Sequence, residues 1–208
     1  MEDILALYTQ PEDPKRPLIC MDEVPKQLLS DFKEPIFVEP ERAERFDYAY
    51  QRHGVANLFM FFAPFLGQRH VKVTKTRTRL DWALAMRELS DNLYPEAEKI
   101  IVVLDNLNTH TPAAFYLAFE PEEARRLVNR FEFHFTPKHG SWLNMAEIEL
   151  SVLSRQCIKR RIPNQETLQL EVQACLTDRN AKFVKVDWRF SAADARIKLK
   201  RLYPKIHD

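Results

Sequence analysis

The amino-acid sequence predicts an α/β fold in one domain, and three observations carry that expectation. Residues 100–104 are an unbroken aliphatic run, Ile-Ile-Val-Val-Leu, of the kind found in a strand covered on both faces. Between 80 and 93 the apolar residues recur at intervals of three and four, the period of an amphipathic helix. The 208 residues are 45% hydrophobic, enough for one sizeable core, and no repeat, low-complexity tract or Gly/Ser linker divides them.

In chain order, residues 16–21 read as a short buried strand, with Pro17 at its start, running into Asp22 and Glu23. Residues 35–38 are expected as a short edge strand, and 39–44, with Pro40 and three acids, as an exposed loop. The apolar stretch 55–62 and the alternating stretch 69–76, split near Pro64 and Gly67, form an antiparallel pair. In the second, Val71 and Val73 face one way and Lys72 and Thr74 the other. Leu80, Ala83, Leu84, Met86 and Leu89 mark a helix that ends before Pro95. The aliphatic strand then ends on Asp105. Thr111 and Pro112 open a short helix as cap and first residue, and Pro121 opens another through Val128. Phe131, Phe133 and Phe135 alternate with Glu132 and His134 as the last strand. A long helix over 144–160 is stopped by Pro163, and two more follow at 165–176 and 191–202.

Composition excludes several function classes. The longest apolar run, 55–66, contains Asn57 and Pro64 and is about half the length of a membrane span. Met1 is followed by Glu2 and Asp3 where a secretory signal carries positive charge, so a cytoplasmic protein is expected. Cys20, Cys157 and Cys175 are odd in number and form no C-x-x-C pair, which favours buried reduced thiols over disulfides or a zinc ribbon. The net charge of +1 conceals an asymmetry: residues 151–208 hold 13 Lys+Arg against 6 Asp+Glu, whereas 1–150 hold 18 against 24. A second basic strip comprises Arg69, Lys72, Lys75, Arg77 and Arg79. Such patches follow a polyanion such as DNA, and solvated faces have the same composition, so charge alone leaves both readings open.

Three acids stand at element boundaries. Asp22 ends the first strand, Asp105 ends the most hydrophobic one, and Glu147 lies in the first turns of the long helix. If the two strands are neighbours, their C-terminal ends put both Asp side chains at one crevice of the sheet, and a helix across that edge supplies the third. Mg²⁺ and Mn²⁺ take oxygen ligands, and a pair of them about 3.5–4 Å apart can clamp the attacking and leaving oxygens of a phosphodiester. Each acid also has a plainer reading: Asp105 as turn chemistry ahead of Asn106 and Asn108, Glu147 as half of a capping box with Asn144. Glu149 rivals Glu147, but two residues along a helix is a rotation of about 200°, so both cannot face one site. Glu23 rivals Asp22 in the same way on a strand, and spacing does not choose. His110, His134 and His139 lack zinc-ligand spacing, and Trp142 suits packing or stacking on a base.

The blocks around these acids are more specific than the acids themselves. Val102-Val103-Leu104-Asp105-Asn106-Leu107-Asn108-Thr109-His110 and Phe135-Thr136-Pro137-Lys138-His139-Gly140-Ser141-Trp142-Leu143-Asn144-Met145-Ala146-Glu147 resemble the second and third acidic blocks of DDE transposases, in the bacterial insertion-sequence branch of the mariner superfamily. Cys20-Met21-Asp22-Glu23 resembles the first block, and the similarity runs from about Glu2 to Pro204. The resemblance implies a ribonuclease H-like fold, a mixed five-stranded sheet flanked by helices. It also implies a metal-binding catalytic triad of Asp22, Asp105 and Glu147, with Glu23 accompanying, and a cofactor of Mg²⁺ or Mn²⁺, as two ions.

The implied activity is metal-dependent DNA strand cleavage and strand transfer in cut-and-paste transposition, with DNA ends and target as partners and a homodimer or higher oligomer on DNA, at the bacterial nucleoid. Lys138 and His139, before the Glu147 helix, and Lys159, Arg160 and Arg161 at its end are the expected phosphate contacts. The 42 positions from Asp105 to Glu147 exceed the spacing of compact relatives and suggest an inserted helix at 120–129. Nothing ahead of Asp22 is long enough for the helix-turn-helix region of such transposases, so the expectation for 1–208 is the catalytic domain alone. A non-catalytic regulatory partner of a full-length transposase and a general ribonuclease H-like nuclease are the competing readings.

Overall fold

The computed structural model describes residues 1–32 and 49–203. The strands are β1 (Leu18–Asp31), β2 (Tyr50–Ala63), β3 (Gln68–Thr74), β4 (Ile100–Leu104) and β5 (Phe131–Phe135), joined in one sheet of order β3-β2-β1-β4-β5. The β1–β2 and β2–β3 pairs are antiparallel, and β1–β4 and β4–β5 are parallel. The sheet is therefore mixed, as the resemblance implied. The helices are α1 (Glu2–Leu7), α2 (Arg79–Glu88), α3 (Ala113–Ala118), α4 (Pro121–Arg130), α5 (Met145–Gln156), α6 (Gln165–Ala181) and α7 (Ala192–Lys198).

Alternation along the strands sends side chains into two cores, one on each side of the sheet. Leu18, Cys20, Leu58, Met60, Phe62, Ile101 and Val103 pack with Leu150 and Leu153 of α5 and with Leu168 and Val172 of α6. Ile19, Met21, Phe59, Phe61, Ile100, Val102 and Leu104 pack with Trp82 and Met86 of α2, Phe115 of α3 and Leu127 of α4. All five residues of β4 are buried, which is why its limits were legible. The parity of β1 has a direct bearing on the acids: Asp22 shares the face of Cys20 and thus of α5, whereas Glu23 shares the face of Met21 and thus of α2.

Several elements differ from expectation. β1 continues to Asp31, so Asp22 lies within a strand and not at its end. The extension is held by β2, with which it pairs as far as Asp31↔Tyr50, while its pairing with β4 stops at Cys20↔Val103. Pro25 is tolerated because it lies where β1 has lost the β4 neighbour. α1 has no side-chain cap and only six residues, too short for a periodic signal, yet Ile4, Leu5 and Leu7 are buried. α2 runs on into a π-helical turn, Leu89–Leu93. α5 ends at Gln156 and not near Arg160, because Ile158 and Ile162 turn into the core and Lys26 Nζ donates to the Ile158 carbonyl at 2.5 Å. α7 is shorter than expected, with a 3₁₀ turn, Lys200–Leu202, in place of its last residues. Cys157 and Cys175 form a disulfide between α5 and α6, so only Cys20 fits the expectation of a buried thiol. The expected strand at 35–38 and loop at 39–44 lie outside the described residues. Among the described residues no helix is long and apolar enough to cross a membrane.

The β2–β3 turn contains Gly67 at φ +65°, and a Cβ there would stand 2.7 Å from the Phe183 carbonyl oxygen. Both the left-handed backbone and the close approach require glycine. Gly67→Ala is expected to lower the unfolding free energy by about 2 kcal/mol or more. The check is the midpoint of urea unfolding, and a midpoint equal to that of the original chain would contradict this account.

Candidate active site

The acids are placed by a strand register and by one asparagine. Leu18, Ile19 and Cys20 pair with Ile101, Val102 and Val103, and the same offset carried two residues further brings Asp22 level with Asp105. Asn144, buried, caps α5 by accepting from Ala146 N at 3.1 Å, and its Nδ2 donates to the Met21 carbonyl at 2.7 Å. The cap is thereby bonded to the residue just before Asp22, and Glu147 follows in the first turn of α5. Asp22 and Glu147 line one open crevice of about 380 Å³ with Glu23, Val24, Leu150, Ser151 and Ser154.

The Glu147 side chain makes no hydrogen bond or ion pair among the described residues, so it is not spent on a capping box; its backbone N–H donates to the Asn144 carbonyl at 3.1 Å. Among the described residues the Asp22 carboxylate accepts only the Glu23 backbone N–H, at 2.8 Å. Burial, opposed by that bond and reinforced by the charges of Asp105, Glu23 and Glu147, pushes the Asp22 carboxyl up to about 7. Asp22 and Glu147, which have no cationic partner among the described residues and line one crevice, suit a hard divalent cation.

Glu149, the rival of Glu147, is on the other side of α5. It is buried against Arg69, whose Nε and Nη2 donate to it at 2.6 and 3.0 Å, and against Arg179 Nη2 at 2.9 and 3.1 Å. It ties α5 to β3 and α6. Glu23 is likewise drawn away from Asp22. Its Oε2 lies 2.9 Å from His110 Nε2, and His110 Nδ1 lies 2.6 Å from Asp105 Oδ1. These are ion-pair contacts out of line for hydrogen bonds: Glu23 Oε1 and Oε2, Asp105 Oδ1 and His110 Nε2 are buried without a hydrogen-bond partner. Burial alone would favour neutral imidazole, but Asp105 and Glu23 override it and push His110 up to about 9. The sequence placed His110 near the Asp105 loop without revealing its link to Glu23, because Glu23 and His110 meet only in the tertiary structure. The Asp105 carboxylate engages this histidine and not its own turn.

The basic residues divide into two kinds. Arg69 is locked on Glu149, and Lys72 pairs with Glu88 at 2.6 Å. Lys75, Arg77 and Arg79 are exposed, and the Arg77 guanidinium comes within 3.7 Å of Glu23 Oε1. Lys138 and His139 are exposed in the loop before α5, with His139 at φ 62°. Lys159 is exposed beyond the far end of α5, Arg160 pairs with Glu171, and Arg161 binds Asp31 at 2.5 Å and lies over the Tyr50 ring. The two groups of candidate phosphate contacts thus stand at opposite ends of a helix about 18 Å long. His134 contacts Asp3 and Glu132. Trp142 is stacked with Trp188, centroids 6.3 Å apart, so packing accounts for it.

Two outcomes test this electrostatic picture. The raised Asp22 pKa means the metal-free folded state resists ionisation that the unfolded chain undergoes near 3.8, so the cost to stability is full above about pH 7 and fades as pH falls toward 4. Asp22→Asn in EDTA should therefore raise the melting temperature at pH 8 and do so less at pH 5; an equal gain at both would refute the charge cluster. Glu149→Gln should cost about 3–5 kcal/mol by leaving buried arginine charge uncompensated. Glu147→Gln should change stability by less than about 1 kcal/mol. Denaturant titrations of the two variants compare them directly.

Comparison with known proteins agrees with the geometry. A sequence-family profile described as DDE superfamily endonuclease matches residues 17–169. No curated protein matches the sequence. Solved structures described as the Mos1 mariner paired end complex with Mn, the Mos1 strand transfer complex and the Mos1 transposase paired-end complex with left transposon end are similar to this chain. Their identities are 15%, 13% and 14%, with TM-scores of 0.59, 0.58 and 0.58. Each match covers 88% of this chain and 54%, 55% and 55% of the other, so the chain spans about half the length of these structures. The shared architecture is the ribonuclease H-like fold.

Proposed function

We propose, because the chain belongs to the DDE superfamily endonuclease family, that Asp22, Asp105 and Glu147 hold Mg²⁺ or Mn²⁺, as two ions, and that residues 1–208 are the catalytic domain of a DNA transposase. The observation that carries the proposal is the crevice shared by Asp22 and Glu147, in which burial, with neighbouring negative charge adding to it, raises the Asp22 pKa to about 7. That site uses two carboxylates one and two residues from rivals that are committed elsewhere, Glu23 to His110 and Glu149 to two arginines.

A bound divalent cation supplies Lewis acidity to the phosphodiester and neutralises developing charge. The chain's own part is to hold and orient. Asp22 and Asp105 from neighbouring strands and Glu147 from α5 converge from two rigid elements, so the DNA phosphate is met by a fixed site. Lys138, His139 and Lys159, which have no side-chain partner among the described residues, are the readiest phosphate contacts. Arg160 and Arg161 must first exchange Glu171 and Asp31. In the reaction water attacks phosphorus at an element end, the 3′ oxygen leaves as a hydroxyl, and that hydroxyl then attacks a target phosphodiester in line, with no covalent enzyme intermediate. The finer assignment is a bacterial insertion-sequence transposase of the mariner superfamily, acting as a homodimer or higher oligomer on DNA at the nucleoid. The paired-end DNA complexes of Mos1 support the DNA-end part of this assignment by likeness of fold.

The test is nicking of supercoiled plasmid at low salt with Mn²⁺. The chain is expected to nick, and Asp105→Ala to reduce nicking to background while retaining the fold by circular dichroism. Nicking by Asp105→Ala at the original rate would overturn the triad.

A further inference from the structure

We propose that His110, braced by Glu23 and Trp82, is a positioning residue that leaves Asp105 a single carboxylate oxygen for the metal. The inference rests on the reading of Asp105 as a metal ligand. Glu23, Asp105 and His110 place one ligand atom each within 4.8 Å of one another, which on distance alone resembles a metal-binding trio. The orientation of the ring says otherwise. Nδ1 faces Asp105 Oδ1 at 2.6 Å and Nε2 faces Glu23 Oε2 at 2.9 Å. These nitrogens stand on opposite edges of the imidazole, so no single ion can join the ring to both carboxylates while the ring keeps both contacts. The three side chains form a line, carboxylate to imidazole to carboxylate, with the ring filling the space between the acids.

Everything around that line is fixed. The His110 side chain is fully buried and that of Glu23 is 1% exposed. The ring stacks on Trp82 with centroids 5.8 Å apart and planes inclined at 26°. The His110 backbone N–H donates to the Leu107 carbonyl at 3.0 Å, closing the turn that returns the ring to Asp105. Asp105 is different: its side chain is 29% exposed although Oδ1 is buried. The end beside histidine is therefore the inner one, and the exposed remainder of the carboxyl is what is left to meet an ion. His110 Nδ1 also donates to the Asp105 backbone carbonyl at 3.4 Å, so the ring is tied to the residue whose inner carboxylate oxygen it contacts, and that oxygen, packed against the imidazole, is not open to a metal. Glu23 lies on the α2 face of β1, opposite Asp22, and acts through the imidazole as the far anchor.

Partners of this kind, which orient a ligand, typically change metal affinity by about 10–100-fold when removed. The experiment titrates Mn²⁺ alone into the full chain and follows free and bound Mn²⁺ by electron paramagnetic resonance, with Asp105→Asn, His110→Asn and Glu23→Gln as variants. The original chain is expected to bind Mn²⁺ at a site that Asp105→Asn abolishes. His110→Asn should need at least about tenfold more Mn²⁺, and its bound-ion spectrum should change as Asp105 becomes free to offer two oxygens. Glu23→Gln keeps the side-chain shape, so it tests the same link if His110→Asn does not fold; it should weaken binding in the same direction without abolishing it.

Unchanged affinity and spectrum in a folded His110→Asn or Glu23→Gln chain would overturn the positioning role. Loss of binding in Glu23→Gln as complete as in Asp105→Asn would make Glu23 a ligand and overturn it too. Absence of Asp105-dependent Mn²⁺ binding in the original chain would instead remove the metal-site reading, and this inference with it, so the two failures are distinguishable.

Discussion

The arrangement of the site depends on the side chain of Asn144. Its Oδ1 caps α5 through Ala146 N and its Nδ2 bonds the Met21 carbonyl, so one buried amide both starts the helix and docks it on β1. Met21 is the first residue of β1 beyond the last pair with β4, at Cys20↔Val103. Its carbonyl lies in the interior, where a missing partner costs about 1–3 kcal/mol. An aliphatic residue at 144 would lose the cap and this bond together. Tyr8 adds a second tie from α1, its hydroxyl donating to the Leu143 carbonyl at 2.6 Å. With α5 pinned at its first residue, the position of Glu147 follows from the helix geometry alone.

The same helix shows how two glutamates two residues apart acquire opposite roles. Glu149 faces inward, where two guanidinium groups compensate its charge and the whole cluster joins β3, α5 and α6. Glu147 faces the crevice, where its nearest charged company is negative. The fold thus satisfies one acid completely and leaves another unsatisfied beside Asp22. Stability argues against such an arrangement, since burial and like charge around Asp22 weaken the folded state without a cation. A site that must attract divalent ions requires it.

How far the sequence revealed this varies with the physical origin of each feature. β4 was legible to the residue because burial on both faces leaves an uninterrupted aliphatic run. The extent of β1 was not, since beyond Cys20 it pairs only with β2 and carries polar residues and a proline. α1 is held by tertiary packing of three residues and not by caps or period. The Cys157–Cys175 bridge joins residues 18 apart that no motif connects. The acids Asp22, Asp105 and Glu147 were singled out as boundary residues and through the resemblance of their blocks, yet Asp22 lies inside β1, whose polar extension hid its true end. Helical rotation kept Glu147 and Glu149 from facing one site together, the resemblance of the block chose Glu147, and the structure shows Glu149 turned to Arg69 and Arg179. The chain from Glu23 through His110 was hidden because its two ends are 87 positions apart in sequence and meet only across the sheet. The basic strip was visible as a strip, but charge counting does not tell Arg69, locked on Glu149, from Arg77, open to solvent.

That last distinction governs how a polyanion would meet the crevice. An acidic site repels DNA unless cations border it, and here they do so on two sides. Arg77, with Lys75 and Arg79 in the same exposed stretch, approaches Glu23 from the β3–α2 connection. Lys138 and His139 stand in the loop that leads into α5, on the side of the Glu147 turn. Residues locked in ion pairs cannot serve without a competing cost, so the number of phosphates the surface neutralises is smaller than the count of Lys and Arg. The salt dependence of DNA binding scales with that smaller number. The near-zero net charge of the whole chain therefore says little about its affinity for DNA, because the cations that matter are the few left unpaired around the carboxylates.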